Sequence, residues 1–179
     1  MESSSLTWQE KRVLVTGAGG FIGSHLAERL AASGARVRAL VHYRSDGFRG
    51  WLEHSAYASD IDVVSGGMID SDTVREAVRG CEMVFHLAAL VAIPYSYRAP
   101  ASYIRGNIEG TLNLLQAALA AGVAKVVHTS TSEVYGSARY VPMDENHSLS
   151  GQSPYSASKI AADKIAEAFH LSYQLPVAT

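Results

Sequence analysis

Tyr155 and Lys159 stand four residues apart in the stretch SPYSASKIAADKI (153–165). At that spacing two side chains share one face of a helix. A phenol and an ammonium on one face can do acid–base chemistry. A free phenol, with a pKa of about 10, is a poor base at neutral pH. A neighbouring positive charge favours the phenolate and lowers that value. The same pair on a surface helix would be a packed tyrosine beside a solvated lysine, so the spacing alone names no reaction. A second group lies near the amino end, where VTGAGGFIGSH sets Gly17, Gly20 and Gly23 at three-residue intervals. Glycine permits positive φ and close backbone approach, and a helix starting there offers free amides at the positive end of its dipole. That combination can seat a pyrophosphate.

Alternating elements must position these groups. Short apolar runs predict strands at RVLVT (12–16), ARVRALV (35–41), IDVVS (61–65), MVFHLAA (83–89) and AKVVHTS (124–130). Helical patterns separate them: FIGSHLAERLAAS directly after the glycines, and SDTVREAVRG with Ser71 or Asp72 at its start and Gly80 past its end. A long helix through NIEGTLNLLQAALAAG is stopped by Gly122, and the Tyr155 helix follows a loop bearing Pro, Gly and Ser. Continuously apolar strands between helices describe a parallel sheet covered on both faces. The fold class is therefore α/β, a doubly wound parallel sheet of Rossmann type, whose ligands sit beyond the carboxyl ends of the strands. LPVAT, at the end of the sequence, reads as the beginning of a sixth strand.

Composition narrows the function. The 179 residues suit one domain with a substantial core; 47% are hydrophobic and 18% charged, as in an ordered globular protein. A net charge of -2 without a basic run gives no electrostatic footprint for nucleic acid or an anionic membrane. Cys81 is the single cysteine, which excludes an internal disulfide framework and a cysteine metal cluster, and no metal is expected. No stretch reaches the roughly 18 apolar residues of a membrane span. MESSSLTWQEKR lacks the apolar core of a signal peptide, so residues 1–11 are expected to be a flexible lead-in and the location cytoplasmic.

The glycine turn makes a dinucleotide the expected cofactor. A binder of unphosphorylated adenosine ribose should place an acid at the end of the second strand, because a carboxylate binds the 2′-hydroxyl. Val41 holds that place, with Arg44 and Ser45 just beyond. Arg44 is either a clamp for a 2′-phosphate, favouring NADP, or an ordinary surface arginine.

Five motifs in order, TGAGGFIG, HLAA (86–89), NIEGT (107–111), STSEVYG (130–136) and YSASK (155–159), resemble the extended short-chain dehydrogenase/reductases. Within them the sequence is similar to the NAD-dependent epimerase/dehydratase group that acts on nucleotide sugars. It looks most like bacterial 4,6-dehydratases of N-acetylglucosamine nucleotides. The resemblance runs from Arg12 to the last residue. It implies that Gly17, Gly20, Phe21, Ile22 and Gly23 hold the pyrophosphate of NAD or NADP, and that Leu87, Ala88 and Ala89 line the cofactor. It implies that Asn107, read as the start of the long helix, shapes that helix near the lysine. Tyr155 would be the acid/base, Lys159 its tuner and a ribose ligand, and Thr131 the group aligning the sugar hydroxyl. His86 is expected to be packed rather than catalytic. Gly67 stands where the family commonly has an adenine-binding Asp, a departure that leaves NAD against NADP open.

STSEVYG also bears on the reaction. Many 4,6-dehydratases carry Thr-Asp-Glu where this sequence has Thr131-Ser132-Glu133, so the carbon-5 base is present and the usual acid is not. A 4-epimerase or a decarboxylase of the same family shares the first oxidation, and a dinucleotide-binding piece without catalysis is the alternative of another class. Family members continue past this length, so residues 12–179 are read as the dinucleotide-binding domain, with the C-terminal substrate domain absent and this chain alone weakly active or inactive. The full-length form is expected to be a homodimer with a nucleotide-sugar substrate.

Overall fold

The computed structural model describes residues 7–179. The strands are β1 (Arg12–Thr16), β2 (Arg36–Val41), β3 (Asp62–Ser65), β4 (Met83–His86), β5 (Lys125–His128) and β6 (Val177–Ala178). The helices are α1 (Phe21–Ala32), α2 (Ser71–Val78), α3 (Ile93–Ser96), α4 (Pro100–Tyr103), α5 (Gly110–Ala120) and α6 (Pro154–Tyr173). The strands form one parallel sheet in the order β3-β2-β1-β4-β5-β6. The chain starts in the middle and winds outward in both directions, which creates the crossover between β1 and β4 where such sheets bind ligands. The register sets Thr16 opposite Leu40 on one side and His86 on the other, with His86 opposite His128. The carboxyl ends of the strands therefore form one edge.

Alternation along β1 explains the two core layers. Leu14 joins Leu40, Val74, Val84, Leu114, Leu115 and Val126 on the face carrying α2, α5 and α6. Val13 and Val15 join Leu30, Val37, Ala39 and Leu52 on the face carrying α1. Among the described residues no helix is long and apolar enough to cross a membrane.

Several boundaries differ from the sequence reading for physical reasons. Part of the expected lead-in, residues 1–6, lies outside the described residues. Residues 8–11 are docked: Trp8 packs on Phe85, the Glu10 amide donates to the Gly34 carbonyl at 2.8 Å, and Lys11 pairs with Glu82. The α2 cap is Asp70, one residue before the expected position, and its carboxylate accepts from the Asp72 amide and the Thr73 hydroxyl. These bonds hold the Asp70 carboxyl below the usual range. β4 stops at His86 and β5 at His128, each short of its apolar run, so the residues after them bend into the site. The long helix begins at α4 and passes through a π-helical turn, Ile104–Glu109, before α5. Asn107 thus lies in the middle of the helical run rather than at its start.

Candidate functional site

The glycine turn is built by close backbone approach. Gly17 has φ of +68°, and a Cβ there would lie 2.8 Å from the Ala88 amide nitrogen. A Cβ on Gly23 would stand 2.8 Å from the Gly17 carbonyl carbon and 2.9 Å from the Ala18 Cα. These two glycines let β1, the β4 bend and α1 converge. Gly20 differs, since a Cβ there would meet only the Gly17 oxygen, at 3.3 Å. It precedes α1 with an extended backbone and no side-chain cap, which leaves the α1 amides without side-chain cover. The side chains of Phe21 and Ile22 are exposed, so any part they play in holding a phosphate falls to their backbone.

A segment that the sequence reading passed over closes on this turn. Trp51 donates its amide to the Gly19 carbonyl at 3.0 Å, and its ring meets Phe21 edge-on at 6.1 Å. Gly50, at φ +70°, allows its backbone to lie against Gly19, whose own Cβ would sit 2.9 Å from the Arg49 carbonyl. The visible sign was a pair of glycines, one in each segment. In the same segment Arg44 is already occupied. Its guanidinium bonds Asp46 at 2.6 and 3.1 Å and lies over the Phe48 ring. Asp46 holds the guanidinium still more firmly protonated, and Arg44 together with the Phe48 amide keeps the Asp46 carboxyl low. A side chain at Gly67 would meet nothing within 4 Å.

The HLAA bend rests on a chain of hydrogen bonds whose direction can be worked out. Thr16 Oγ1 accepts the Leu87 and Ala88 amides at 3.2 and 3.1 Å and lies 2.8 Å from His86 Nδ1. With both lone pairs used, its proton goes to Nδ1. His86 then carries its hydrogen on Nε2 and donates to Thr111 Oγ1 at 3.0 Å, and Thr111 donates to the Asn107 carbonyl at 2.6 Å. Burial first, then the neighbouring His128 and Lys159, push the His86 imidazolium well below its ordinary range. His86 is therefore a neutral, packed histidine, as the sequence suggested. Leu87, Ala88 and Ala89 are half-buried along the bend. The Asn107 side chain pairs with both backbone groups of Leu90, at 2.8 and 3.0 Å, and donates to Ser158 Oγ at 2.9 Å. It ties the bend to the residue just before Lys159.

α6 begins with a reciprocal cap. Ser153 Oγ accepts the Ser156 amide and Ser156 Oγ accepts the Ser153 amide, with Pro154 at the first helical position. This fixes Tyr155 in the first turn and Lys159 in the second. Both are buried. The Tyr155 ring lies edge-on to Tyr103 at 6.2 Å, and Lys159 donates to the Thr129 carbonyl at 2.7 Å. Burial lowers the Lys159 pKa, opposed by the Asp163 carboxylate. Thr131 starts a 3-10 turn, Ser132–Val134, and accepts the Glu133 amide at 3.3 Å. α6 packs along that turn, with Thr131 half-buried and Glu133 exposed. The glycine turn, the HLAA bend, Thr131, Glu133, Tyr155 and Lys159 gather at the carboxyl edge of the sheet. Arg44 stands apart on the loop after β2. Thr16, Thr111, His128, Ser130 and Asp163 belong to the site's support; Thr16, Thr111 and Ser130 lie inside the five quoted motifs but drew no role of their own, and His128 and Asp163 lie outside them.

A parallel sheet of this order, with a glycine turn at its crossover and a Tyr–Lys pair beside it, defines a dinucleotide-binding protein of the short-chain dehydrogenase/reductase type. The chain belongs to the GDP-mannose 4,6-dehydratase family, whose model matches residues 14–179. It is 35% identical to a dTDP-glucose 4,6-dehydratase of Streptomyces antibioticus, over 92% of this chain and 50% of that protein. It is 40% identical to a UDP-glucose 4-epimerase of Mycolicibacterium smegmatis, over 92% of this chain and 53% of that protein. The solved dTDP-glucose 4,6-dehydratase of Streptomyces venezuelae, with NAD bound, superposes with a TM-score of 0.85 at 36% identity, covering 93% of this chain and 53% of the other. The chain thus spans about half the length of these relatives.

Proposed function

We propose that this chain carries the cofactor-binding and acid–base half of an NAD-dependent nucleotide-sugar 4,6-dehydratase. The observation that carries the reading is the buried Tyr155–Lys159 pair, set by the Ser153 cap beside the Thr131–Glu133 turn. The glycine cradle suits a dinucleotide, since a Cβ at Gly17 would fill the approach to Ala88. The occupied Arg44 favours an unphosphorylated ribose, as does the NAD of the solved relative. When bound, NAD supplies the acceptor, and later the donor, of the hydride.

The residues of this chain supply the rest. Gly17, Gly20, Phe21, Ile22 and Gly23 seat the pyrophosphate, with Leu87 to Ala89 and Asn107 shaping the adjoining wall. Thr131 aligns the 4-hydroxyl of the sugar, and Tyr155 takes its proton as carbon 4 is oxidised. Lys159 sets a positive charge on the same helix face as the phenol and holds the nicotinamide ribose. The new ketone acidifies the carbon-5 proton, which Glu133 removes as hydroxide leaves carbon 6. Ser132 is too weak an acid to protonate that hydroxide as a carboxylic acid would. Glu133 therefore passes its newly acquired proton to the leaving group, completing loss of one water.

The absence of a second carboxylate at Ser132 is the observation on the side of a 4-epimerase or a decarboxylase, which share the first oxidation. Incubating the longest natural chain containing these residues with NAD and dTDP-glucose, UDP-glucose, UDP-N-acetylglucosamine and UDP-glucuronate separates the readings by product mass. Loss of water supports the dehydratase, unchanged mass with inverted carbon 4 the epimerase, and loss of carbon dioxide the decarboxylase. NAD binding without conversion leaves a binding module. The reading also expects a homodimeric full-length protein in the cytoplasm, checked by sedimentation and cell fractionation.

A further inference from the structure

Tyr155, Lys159 and Asp163 follow one another at four-residue spacing along α6, so one stripe carries a phenol, an ammonium and a carboxylate. Asp163 is held at both oxygens. His128 Nε2 lies 2.8 Å from Oδ1, and Ser130 Oγ donates to Oδ2 at 2.5 Å. A carboxylate only accepts here, so His128 carries its hydrogen on Nε2. His128 Nδ1 is buried without a hydrogen-bond partner. Asp163 is therefore the ring's one hydrogen-bond partner, while the His86 ring packs against it at 5.4 Å. Lys159 makes its hydrogen bond to the Thr129 carbonyl instead and forms no ion pair with Asp163.

We infer that Asp163, pinned by His128 and Ser130, is a positioning residue that keeps the Lys159 ammonium charged through space while leaving its N–H groups free for the site. A lysine this buried loses stability as a cation, and one fixed negative charge a turn away offsets that loss. A mobile aspartate would fold over onto the ammonium and take two of its hydrogens. The two bonds from β5 and its bend prevent this. The other titratable groups on elements packed around α6 are His86 on β4, Lys125 on β5, Tyr95 on α3, Tyr103 on α4, Arg105 and Glu109 in the π turn, and Glu133. α5 and β6 carry none. His86 is locked neutral by Thr16 and Thr111, so it does not compete for the negative charge.

The inference bears on catalysis only through the Tyr155–Lys159 reading, but its test does not need that reading. Lys11, Lys125, Lys159 and Lys164 are the only lysines, which makes a side-chain NMR titration of isotope-labelled lysine tractable, with Lys159→Arg assigning the signal. In Asp163→Asn, Lys159 is expected to titrate at lower pH than in the unaltered chain, while the other three hold their positions. In Ser130→Ala the charge remains but is released, and Lys159 is expected to titrate higher. An unchanged Lys159 in Asp163→Asn overturns the inference, as does a fall in Ser130→Ala equal to that in Asp163→Asn. If Asp163→Asn does not fold, Ser130→Ala alone decides: a rise supports the inference, and no rise overturns it. In the full-length protein, the alkaline limb of the pH–rate profile should slide acidward in Asp163→Asn, because losing a negative charge makes the Lys159 ammonium easier to deprotonate. Turnover surviving Tyr155→Phe would instead overturn the acid–base reading and leave the Lys159 titration standing.

Discussion

Thr16 and His86 meet at 2.8 Å across adjacent parallel strands, and this one contact sets both the tautomer of the histidine and the bend that follows it. The same threonine oxygen receives the Leu87 and Ala88 amides. Thr16→Val keeps the shape and deserts three buried or half-buried polar groups. Each costs about 1–3 kcal/mol when left unpaired. We expect a loss of several kcal/mol, on that same scale, in urea denaturation.

The depressed His86 pKa makes a pH prediction of definite sign. The folded state holds His86 neutral, while the unfolded chain binds its proton at about pH 6.5. The stability associated with neutral His86 is fully present above that value and is lost as pH falls below it towards the folded pKa. Denaturation midpoints measured from pH 8 down to about pH 5 should fall. The part due to this residue should vanish in His86→Gln, whose slope should be shallower than that of the unaltered chain.

Glycines of one motif should fail differently. Gly23→Ala puts a methyl group 2.8 Å from the Gly17 carbonyl carbon and should lower the melting temperature. Gly20→Val meets little of the protein itself and should keep its melting temperature. It should nonetheless lose NAD binding by calorimetry, because the proposed reading brings the pyrophosphate against the turn at Gly20.

Arg44 and Asp46 predict cofactor choice. With the guanidinium neutralised, Arg44→Ala should leave NAD affinity nearly unchanged. Asp46→Asn frees a cation on the loop after β2, and if that loop meets the adenosine ribose it should raise NADP affinity relative to NAD by roughly tenfold, the worth of one charge-assisted hydrogen bond. Parallel titrations with the two dinucleotides check it, and an unaltered ratio would make the pair a surface ornament.

Glu133→Gln in the full-length protein should still reduce bound NAD when the nucleotide sugar is added, yet fail to release the dehydrated product. In the proposed mechanism the first oxidation needs Thr131, Tyr155 and Lys159, and only the elimination needs a base at carbon 5. Solvent deuterium should enter carbon 5 in the unaltered enzyme and not in the variant. Normal dehydration by Glu133→Gln would remove it from the mechanism.

What was legible in the sequence was whatever local chemistry determines. RVLVT became β1 residue for residue, because a buried parallel strand must be apolar on both faces. The loop bearing Pro, Gly and Ser announced α6, and Gly17 and Gly23 announced the turn, because no other residue fits at those two glycines. The π turn was not legible: Asn107 within it and Thr111 just past it take their partners from Leu90, His86 and Ser158, far apart in the sequence. Asp70 lost its place to Ser71 and Asp72 because all three are good caps and only the fold chooses. Gly50 and Trp51 gained theirs from Gly19, some thirty positions earlier, as the β2 loop closed. Asp163 looked like one more polar residue on a helix until His128 and Ser130 stood beside it.

The π turn at Ile104–Glu109 has a consequence for how this segment tolerates change in length. A π turn holds one residue more than the α-helix it interrupts, and each helical residue turns the axis by about 100°. Deleting one residue from 104–109 would heal the helix into regular form and cost it little by itself. Because the wider turn is what absorbs the extra residue, the healed helix would keep α4 and Tyr103 near their present direction relative to α5, so the Tyr103–Tyr155 contact should survive a deletion that spares Asn107 and its bond to Ser158. Most helices are damaged by an insertion. This one would be made more ideal by a deletion, and would keep its aim.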